Sequence, residues 1–192
     1  ICFDYKDYKN LTIHLCGTYQ VYNASLAICA LEKLRNKGYN ITEQAIKDGL
    51  ESALWQGRFE TLGTNPYFIL DGAHNINGIK GAIESLKTYF PDKKIIFIVG
   101  AMADKDVSGM MQLLTPIADV FFTARPDNDR AMSSSDLYAL LQSLGAKAFC
   151  CDCVFDAVKG ALDYAKNDSV IAAIGSLYFS SEIRESYLKA TG

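Results

Sequence analysis

Residues 71–75 (DGAHN) bring a carboxylate, an imidazole and an amide together in one short segment. They follow the apolar run 67–70 (YFIL) and precede residues 76–89, whose apolar spacing predicts a helix. A carboxylate that follows a buried strand can bind a sugar hydroxyl, and the first turn of the next helix favours an anion. The segment therefore predicts chemistry on a nucleotide or another phosphorylated group.

The elements that must position this segment alternate between apolar strands and amphipathic helices. Continuous apolar strands predict a mainly parallel sheet that is covered on both faces, and right-handed crossovers make it a doubly wound, Rossmann-like α/β domain. The predicted pairs are strand 67–70 with helix 76–89, 94–99 with 107–114, 119–123 with 134–144, 146–150 with 154–166, and 169–174 with 176–189.

Polar residues follow four of these strands, in segments 71–74, 100–106, 125–130 and 175–178. Because the carboxyl ends of parallel strands meet at one edge of the sheet, we expect these segments to face one crevice. The alternative is that each segment is an ordinary polar turn. None has the glycine spacing of a dinucleotide-binding loop, so NAD and FAD are not predicted. A Walker-type phosphate loop is also absent from the 192 residues.

The first third of the chain has a different pattern. It predicts a strand over residues 11–15, a helix over 19–36 that Gly38 ends, and a second helix that Thr42 opens and that runs to about residue 54. Glycines and a proline then predict a connector up to residue 66. We place a domain boundary near residues 52–56, which divides the chain into domains 1–54 and 55–192.

The composition excludes several classes of protein. A net charge of −3 with interspersed signs predicts no general affinity for nucleic acid or anionic membranes. No apolar run approaches the roughly 20 residues of a membrane helix, and no signal peptide is present, so a cytoplasmic location is expected. The first residue is not Met, and the chain is expected to begin inside a longer protein. Six cysteines lack the paired spacing of a zinc site and predict structural thiols, with no metal site.

Five segments resemble, in order, the motifs of the Mur ligase superfamily. Residues 17–24 (GTYQVYNA) resemble the motif that ends its central domain. The other four follow the order of its folate branch, folylpolyglutamate synthase, which is often bifunctional with dihydrofolate synthase. They are 55–60 (WQGRFE), 70–75 (LDGAHN), 100–106 (GAMADKD) and 175–178 (GSLY), so the resemblance covers nearly the whole chain.

The resemblance implies an ATP- and Mg²⁺-dependent ligase that joins L-glutamate to folate or dihydropteroate through an acyl phosphate. It implies that residues 1–54 end the central ATP-binding domain, that 55–192 form the C-terminal glutamate ligase domain, and that the protein is a monomer. The phosphate loop, magnesium ligands and modified lysine of the family are not in this chain. We therefore predict that the chain alone folds but does not ligate.

Three residues match the nucleotide side of the family's site. Asn23 resembles the amide contact to adenine, Arg58 the arginine that reaches the ATP phosphates, and Asp71 the carboxylate at the nucleotide, plausible as the acceptor for a ribose hydroxyl. Each has a simpler alternative. Asn23 could cap a helix, Arg58 could pair with Glu60 at the surface, and Asp71 could cap the following helix.

His74, Ser176 and Tyr178 match the glutamate side of the site, with His74 as the candidate catalytic group and Tyr178 as a weaker neighbour. The alternatives are a turn histidine for His74 and an ordinary helix cap for Ser176. Residues 104–106 receive no catalytic role. His14, on the predicted first strand, is interpreted as structural.

Two other functions remain open at this point. A Mur ligase acting on peptidoglycan precursors would share the fold and mechanism, although residues 55–60 and 175–178 favour the folate branch. A non-catalytic binding module could also use a Rossmann-like domain, since fold alone does not determine function. A substrate panel would distinguish a peptidoglycan ligase from a folate ligase. A phosphate loop upstream of residue 1 would decide for an enzyme over a non-catalytic module.

Overall fold

The computed structural model describes residues 1–192, which form two compact units, Ile1–Gln56 and Gly57–Gly192. None of the helices combines the length and the apolar character needed to cross a membrane. The assignment of residues 1–54 and 55–192 to two domains of the family stays a prediction.

The first unit is a two-stranded hairpin with two helices. Strands β1 (Cys2–Tyr5) and β2 (Tyr8–Thr12) pair antiparallel and precede helices α1 (Gln20–Asn36) and α2 (Glu43–Glu51). The predicted strand over residues 11–15 was wrong beyond Thr12. Strand β1 was missed because it has only four residues, all at least partly exposed, and such a short segment gives no clear alternating pattern. The second helix ends at Glu51, not near residue 54.

The helix ends of this unit follow the predicted caps. The Oγ1 of Thr42 accepts a hydrogen bond from the backbone N–H of Ala45, at 3.1 Å, and so caps α2. Gly38 follows α1 with a φ of +94°, the left-handed conformation that commonly ends a helix. A small core of Tyr8, Leu11 and Ile28 with Ile46 connects the hairpin to both helices.

The second unit is a six-stranded sheet with helices on both faces. In space its strands lie in the order β3-β4-β8-β5-β6-β7, and all are parallel except the edge strand β3. Its elements are β3 (Glu60–Thr64), β4 (Tyr67–Asp71), α3 (Ile76–Tyr89), β5 (Lys94–Val99), α4 (Val107–Leu114), β6 (Ala118–Thr123), α5 (Ser134–Ser143), β7 (Ala148–Cys150), α6 (Val154–Tyr164), β8 (Ser169–Ile174) and α7 (Leu177–Thr191).

The two faces of the sheet carry separate apolar cores, which confirms the doubly wound prediction. Helices α3, α4 and α5 pack on one face, where Phe97 and Val99 lie, and helices α6 and α7 cover the other face, where Ile96 and Ile98 lie. Successive residues of one strand point to opposite faces, so a strand covered on both sides must be apolar throughout. This explains the continuous apolar runs in the sequence.

Strand β3 is the main correction to the predicted fold of this unit. Residues 57–66 were predicted to be a connector, but Glu60–Thr64 pair antiparallel with β4 and form the edge of the sheet. The pairing shifts register between Thr61 and Gly63, and such an irregular, glycine-containing strand gives little sequence signal. Strand β7 is also shorter than predicted, at Ala148–Cys150.

The chain order reverses at the centre of the sheet and creates a crevice. Strand β8 lies between β4 and β5 in the sheet. Helix α7, which follows β8, packs on one face, whereas α3 and α4, which follow β4 and β5, pack on the other. Loops that diverge in this way open a cleft at the carboxyl ends of the strands, where open α/β sheets bind ligands. The segments that follow β4, β8 and β5 lie at this edge of the sheet.

Candidate functional site

Asp71 ends β4 and anchors the segments around it. Its side chain is 4% exposed. One carboxylate oxygen accepts the backbone N–H of Ala73 at 2.8 Å, and the other accepts that of Phe59 at 3.1 Å. The alternative that Asp71 caps the next helix is wrong, because Asn75 caps α3 by accepting the N–H of Gly78 at 2.9 Å. Asp71 therefore connects the end of β4 to the turn that contains Arg58.

The Arg58 turn is fixed on both sides of the arginine. Gly57 and Phe59 have positive φ values of 69° and 47°. The carbonyl oxygen of Gly57 accepts the N–H of Gly72 at 2.7 Å, and the N–H of Phe59 is bound by Asp71. Arg58 itself is half-buried, and its guanidinium forms no hydrogen bond or ion pair. The turn thus holds a permanently charged donor group beside the crevice without an internal partner.

Glu60 binds a different arginine from the one that the sequence suggested. The two guanidinium nitrogens of Arg184, on α7, donate to the two oxygens of Glu60 at 2.6 Å each. The N–H of Gly57 donates to one of the same oxygens at 2.7 Å. The proposed surface pair of Arg58 with Glu60 is therefore wrong. The Arg184 guanidinium holds the pKa of Glu60 below its ordinary value, and Glu60 raises the pKa of Arg184.

His74 is half-buried and has a defined tautomer. Its Nδ1 lies 2.8 Å from the carbonyl oxygen of Gly72, which can only accept, so Nδ1 carries the hydrogen. In the neutral imidazole the lone pair then resides on Nε2, which has no partner within the chain. His74 is accordingly able to accept a proton or a hydrogen bond from a ligand at this edge of the sheet.

The segment after β8 approaches the segment after β5 very closely. Gly175 has a φ of +127°, and a Cβ placed on it would lie 2.3 Å from the carbonyl oxygen of Gly100. Ser176 is buried, and its hydroxyl accepts the N–H of Tyr178 at 3.2 Å, so it caps α7. The structure thus shows the capping role of Ser176, and its match to the glutamate side stays a prediction.

Tyr178 extends the site toward the segment after β6. Its side chain is 60% exposed, and the guanidinium of Arg130 lies 5.9 Å from the centre of its ring, in the range of a cation–π contact. Arg130 also approaches Asp104 at 3.6 Å, and its carbonyl oxygen accepts the N–H of Ala103 at 2.7 Å. The polar segments after β5 and β6 are therefore in contact at one edge of the sheet, and Asp104 and Lys105 are exposed there.

The remaining predicted residues lie in the first unit. Asn23 is in the first turn of α1 and exposed, and its amide nitrogen donates to the side chain of Gln20 at 2.8 Å. Its interpretation as a helix cap is wrong, because Tyr19 occupies the N-cap position. His14 is exposed and follows β2, not within a strand as predicted.

No group of three or more His, Cys, Asp or Glu side chains could hold a metal ion. All six cysteines are free. Burial raises the pKa of the Cys151 thiol to about 11, which keeps it protonated and unreactive at neutral pH.

Arg184 is the residue of this site that sequence reasoning missed. It lies in the middle of α7, 124 residues from Glu60, within a pattern typical of any amphipathic helix. Glu60 was part of a recognised segment, but nothing in the sequence identified its partner. A bidentate pair between distant elements leaves no local signal.

Comparison with known proteins identifies the relatives of this chain. Residues 57–177 match the family described as Mur ligase, glutamate ligase domain. The dihydrofolate synthase/folylpolyglutamate synthase of Bacillus subtilis is 33% identical over 181 residues, which are 94% of this chain and 42% of that protein. The UDP-N-acetylmuramoyl-L-alanyl-D-glutamate–2,6-diaminopimelate ligase of Caldanaerobacter subterraneus is 29% identical over 177 residues, 87% of this chain and 35% of that protein.

A solved structure shares the fold. The structure of Escherichia coli FolC in complex with DHPP and ADP superposes with a TM-score of 0.83 at 26% identity, covering 96% of this chain and 42% of that one. The chain thus spans less than half the length of the relatives it matches.

Proposed function

The chain belongs to the family of Mur ligase glutamate ligase domains, and on that premise we propose that the protein containing it is an ATP-dependent ligase that adds L-glutamate to folate. The observation that carries the proposal is the Arg58 turn, which holds an unpaired guanidinium beside the crevice at the ends of β4 and β8. Two further features support it, namely the match to the B. subtilis enzyme over 94% of this chain and the likeness to a FolC structure with bound ADP.

The proposed reaction has two steps. The γ-phosphoryl group of ATP is transferred to the folate carboxylate, which gives an acyl phosphate and ADP. The amine of glutamate then attacks the acyl carbon, phosphate leaves with the C–O bonding electrons, and an amide forms as the amine loses a proton. Orientation of the two reactants accounts for much of the rate of such a transfer.

On the nucleotide side, Arg58 binds the phosphates, because a planar guanidinium donates two hydrogen bonds to neighbouring phosphate oxygens. Each carboxylate oxygen of Asp71 accepts a backbone amide, and because such an oxygen has two lone pairs it can also accept a ribose hydroxyl. The match of Asn23, in the first unit, to the family's amide contact with adenine stays a prediction. Asp71 thereby combines a ligand contact with its role in holding the Arg58 turn.

On the glutamate side, His74 accepts a hydrogen from the amino group through its free Nε2 and keeps the amine ready for attack. Ser176 and Tyr178 contact the glutamate from the segment after β8. The hydroxyl of Ser176 accepts one amide within the helix cap and can still donate its own hydrogen to a carboxylate.

Mg²⁺ accompanies ATP in this reaction, but these residues do not fit a metal site. The described chain contains no group of acidic, thiol or imidazole side chains that could hold the ion. No step is therefore assigned to a metal held by this chain, and we expect the metal ligands and the phosphate loop elsewhere in the full-length protein. We also propose that the full-length ligase is a monomer in the cytoplasm.

Replacement of Arg58 tests the proposed function. In the full-length protein, Arg58→Ala should raise the KM for ATP about 10- to 100-fold, because it removes a charge-assisted contact worth roughly 1.5–3 kcal/mol in total. The affinity for the pteridine substrate, measured by fluorescence titration, should change less than about twofold. Lys80→Ala removes an exposed charge from α3 and serves as the control. Equal losses for ATP and for the pteridine would refute the assignment.

The isolated chain provides a second test. Residues 1–192, incubated with ATP, Mg²⁺, folate and glutamate, should give no glutamylated product above background, while circular dichroism shows a folded protein. Product formation by this chain alone would mean that phosphate binding does not require another segment.

The Mur ligase of peptidoglycan synthesis stays the second candidate, because the diaminopimelate ligase relative matches 87% of this chain. A panel of one folate and one UDP-linked muramoyl peptide, each with its amino acid, separates the two. Turnover of the muramoyl peptide alone would favour the second candidate.

A further inference from the structure

The carboxylate of Glu60 lies at the Arg58 turn. One of its oxygens accepts the N–H of Gly57 at 2.7 Å, so the side chain folds back across the turn to the residue before Arg58. Consecutive Cα atoms are about 3.8 Å apart, and the extended arginine side chain is longer than that distance. A carboxylate bound to the residue next to Arg58 is a candidate partner for the Arg58 guanidinium.

A half-buried carboxylate with a guanidinium in reach would be expected to capture it. A pair that is partly shielded from water attracts more strongly than one in bulk solvent. In this structure the two guanidinium nitrogens of Arg184 instead bind both oxygens of Glu60 at 2.6 Å. The side chains of Arg184 and Glu60 are only 27% and 24% exposed.

We propose that Arg184 is a positioning residue that keeps Arg58 free. By binding Glu60 with both guanidinium nitrogens, it neutralises the Glu60 carboxylate while Glu60 continues to hold the Gly57 amide. The Arg58 guanidinium then stays available for an anionic ligand. The inference rests on the proposed function only in naming that ligand as the phosphates of ATP.

The bidentate geometry explains why this position needs arginine. Two parallel N–H donors match the two oxygens of a carboxylate, whereas a lysine ammonium acts as a point charge. Lysine at position 184 would leave part of the Glu60 carboxylate accessible to Arg58. The partners are 124 residues apart in the chain, so their pair requires that α7 is packed on the sheet.

The first experiment measures ATP kinetics in the full-length protein. Arg184→Met should raise the KM for ATP about tenfold with kcat changed less than twofold, because Glu60 then captures Arg58. The double variant Arg184→Met with Glu60→Gln should return the KM to within about twofold of the wild-type value, since the glutamine side chain is uncharged but still accepts the Gly57 N–H. Arg184→Lys, which keeps a cation beside Glu60 and is the more conservative change for folding, should raise the KM less than Arg184→Met.

A purely structural role for the pair predicts another result. If Arg184 only connects α7 to β3, the double variant should be no better than Arg184→Met, and both should lose thermal stability together. Failure of the double variant to recover would overturn the proposal, as would an unchanged KM in Arg184→Met.

The second experiment detects the capture without ATP. In the 192-residue chain, the pKa of Glu60 is measured by NMR titration of its side-chain carboxyl carbon. In Arg184→Met, adding Arg58→Ala should raise that pKa, because the capturing guanidinium is removed. No change would overturn the proposal whatever the ligand of Arg58 is. A raised pKa with a KM for ATP that responds to neither Arg58→Ala nor Arg184→Met would support the capture and refute the ATP role of Arg58.

Discussion

Gly175→Ala is expected to lower the free energy of unfolding by about 4 kcal/mol. The added Cβ would lie 2.3 Å from the carbonyl oxygen of Gly100, a backbone atom that cannot rotate away. Overpacking of this kind costs roughly 1–3 kcal/mol, and a strained backbone conformation such as the φ of +127° adds about the same again. The substitution would also push apart the segments that follow β5 and β8, which line the crevice.

The measurement is urea unfolding of the 192-residue chain followed by circular dichroism. Gly145→Ala is the matched control, because Gly145 also has a positive φ, +73°, but no atom lies within 4 Å of a Cβ placed there. Gly145→Ala should lower the free energy of unfolding by only about 1–2 kcal/mol, because the left-handed conformation alone is unfavourable by that amount for alanine. Equal destabilisation by the two substitutions would show that the contact with Gly100 does not constrain the crevice.

Asp71→Ala is expected to lower the free energy of unfolding by about 3 kcal/mol and to weaken ATP use strongly. The substitution leaves the backbone N–H groups of Phe59 and Ala73 without their acceptor in a buried site, and each such loss costs roughly 1–3 kcal/mol. It also releases one side of the Arg58 turn. The KM for ATP in the full-length protein should therefore rise at least as much as in Arg58→Ala.

The control for Asp71 is Asp106→Ala. The side chain of Asp106 accepts a single N–H, that of Gly109 at 2.9 Å, at the exposed start of α4. Loss of such a helix cap costs about 1 kcal/mol, and ATP use should be unaffected. If Asp71→Ala were no more destabilising than Asp106→Ala, the anchoring role assigned to Asp71 would be wrong.

Much of the second unit was predictable from local patterns. Helix α3 begins and ends at the predicted residues, as do β5 and α4, because buried strands are apolar throughout and their helices carry a regular apolar spacing. The predicted Thr42 cap of α2 is also present, since capping needs only residues of the same turn.

The errors fall where local patterns are weak. The edge strand β3 contains Gly63 and an irregular register, and it is held by pairing with β4 instead of by its own propensity. Strand β1 is half-exposed and was missed for a similar reason. In both cases the partner strand decides the structure, and the sequence of the strand itself does not.

The candidate site shows the same division. Its segments were located correctly after β4, β5, β6 and β8, because the alternation of strands and helices determines which edge they reach. The partners within the site were not predictable. Arg58 was expected to have Glu60 as an alternative partner, and Asp71 was expected to cap α3 if it had no ligand, but the structure shows neither.

The sequence by itself thus determined the parallel sheet, its helices, the polar segments at one edge and the resemblance to a family. These depend on periodicity and caps, which act over a few residues. Only the tertiary structure decided that Arg184 takes Glu60, that Asp71 holds the Arg58 turn and that Gly175 touches Gly100. Such contacts join elements far apart in the chain, and their geometry exists only after the crossovers have packed α7 against the sheet.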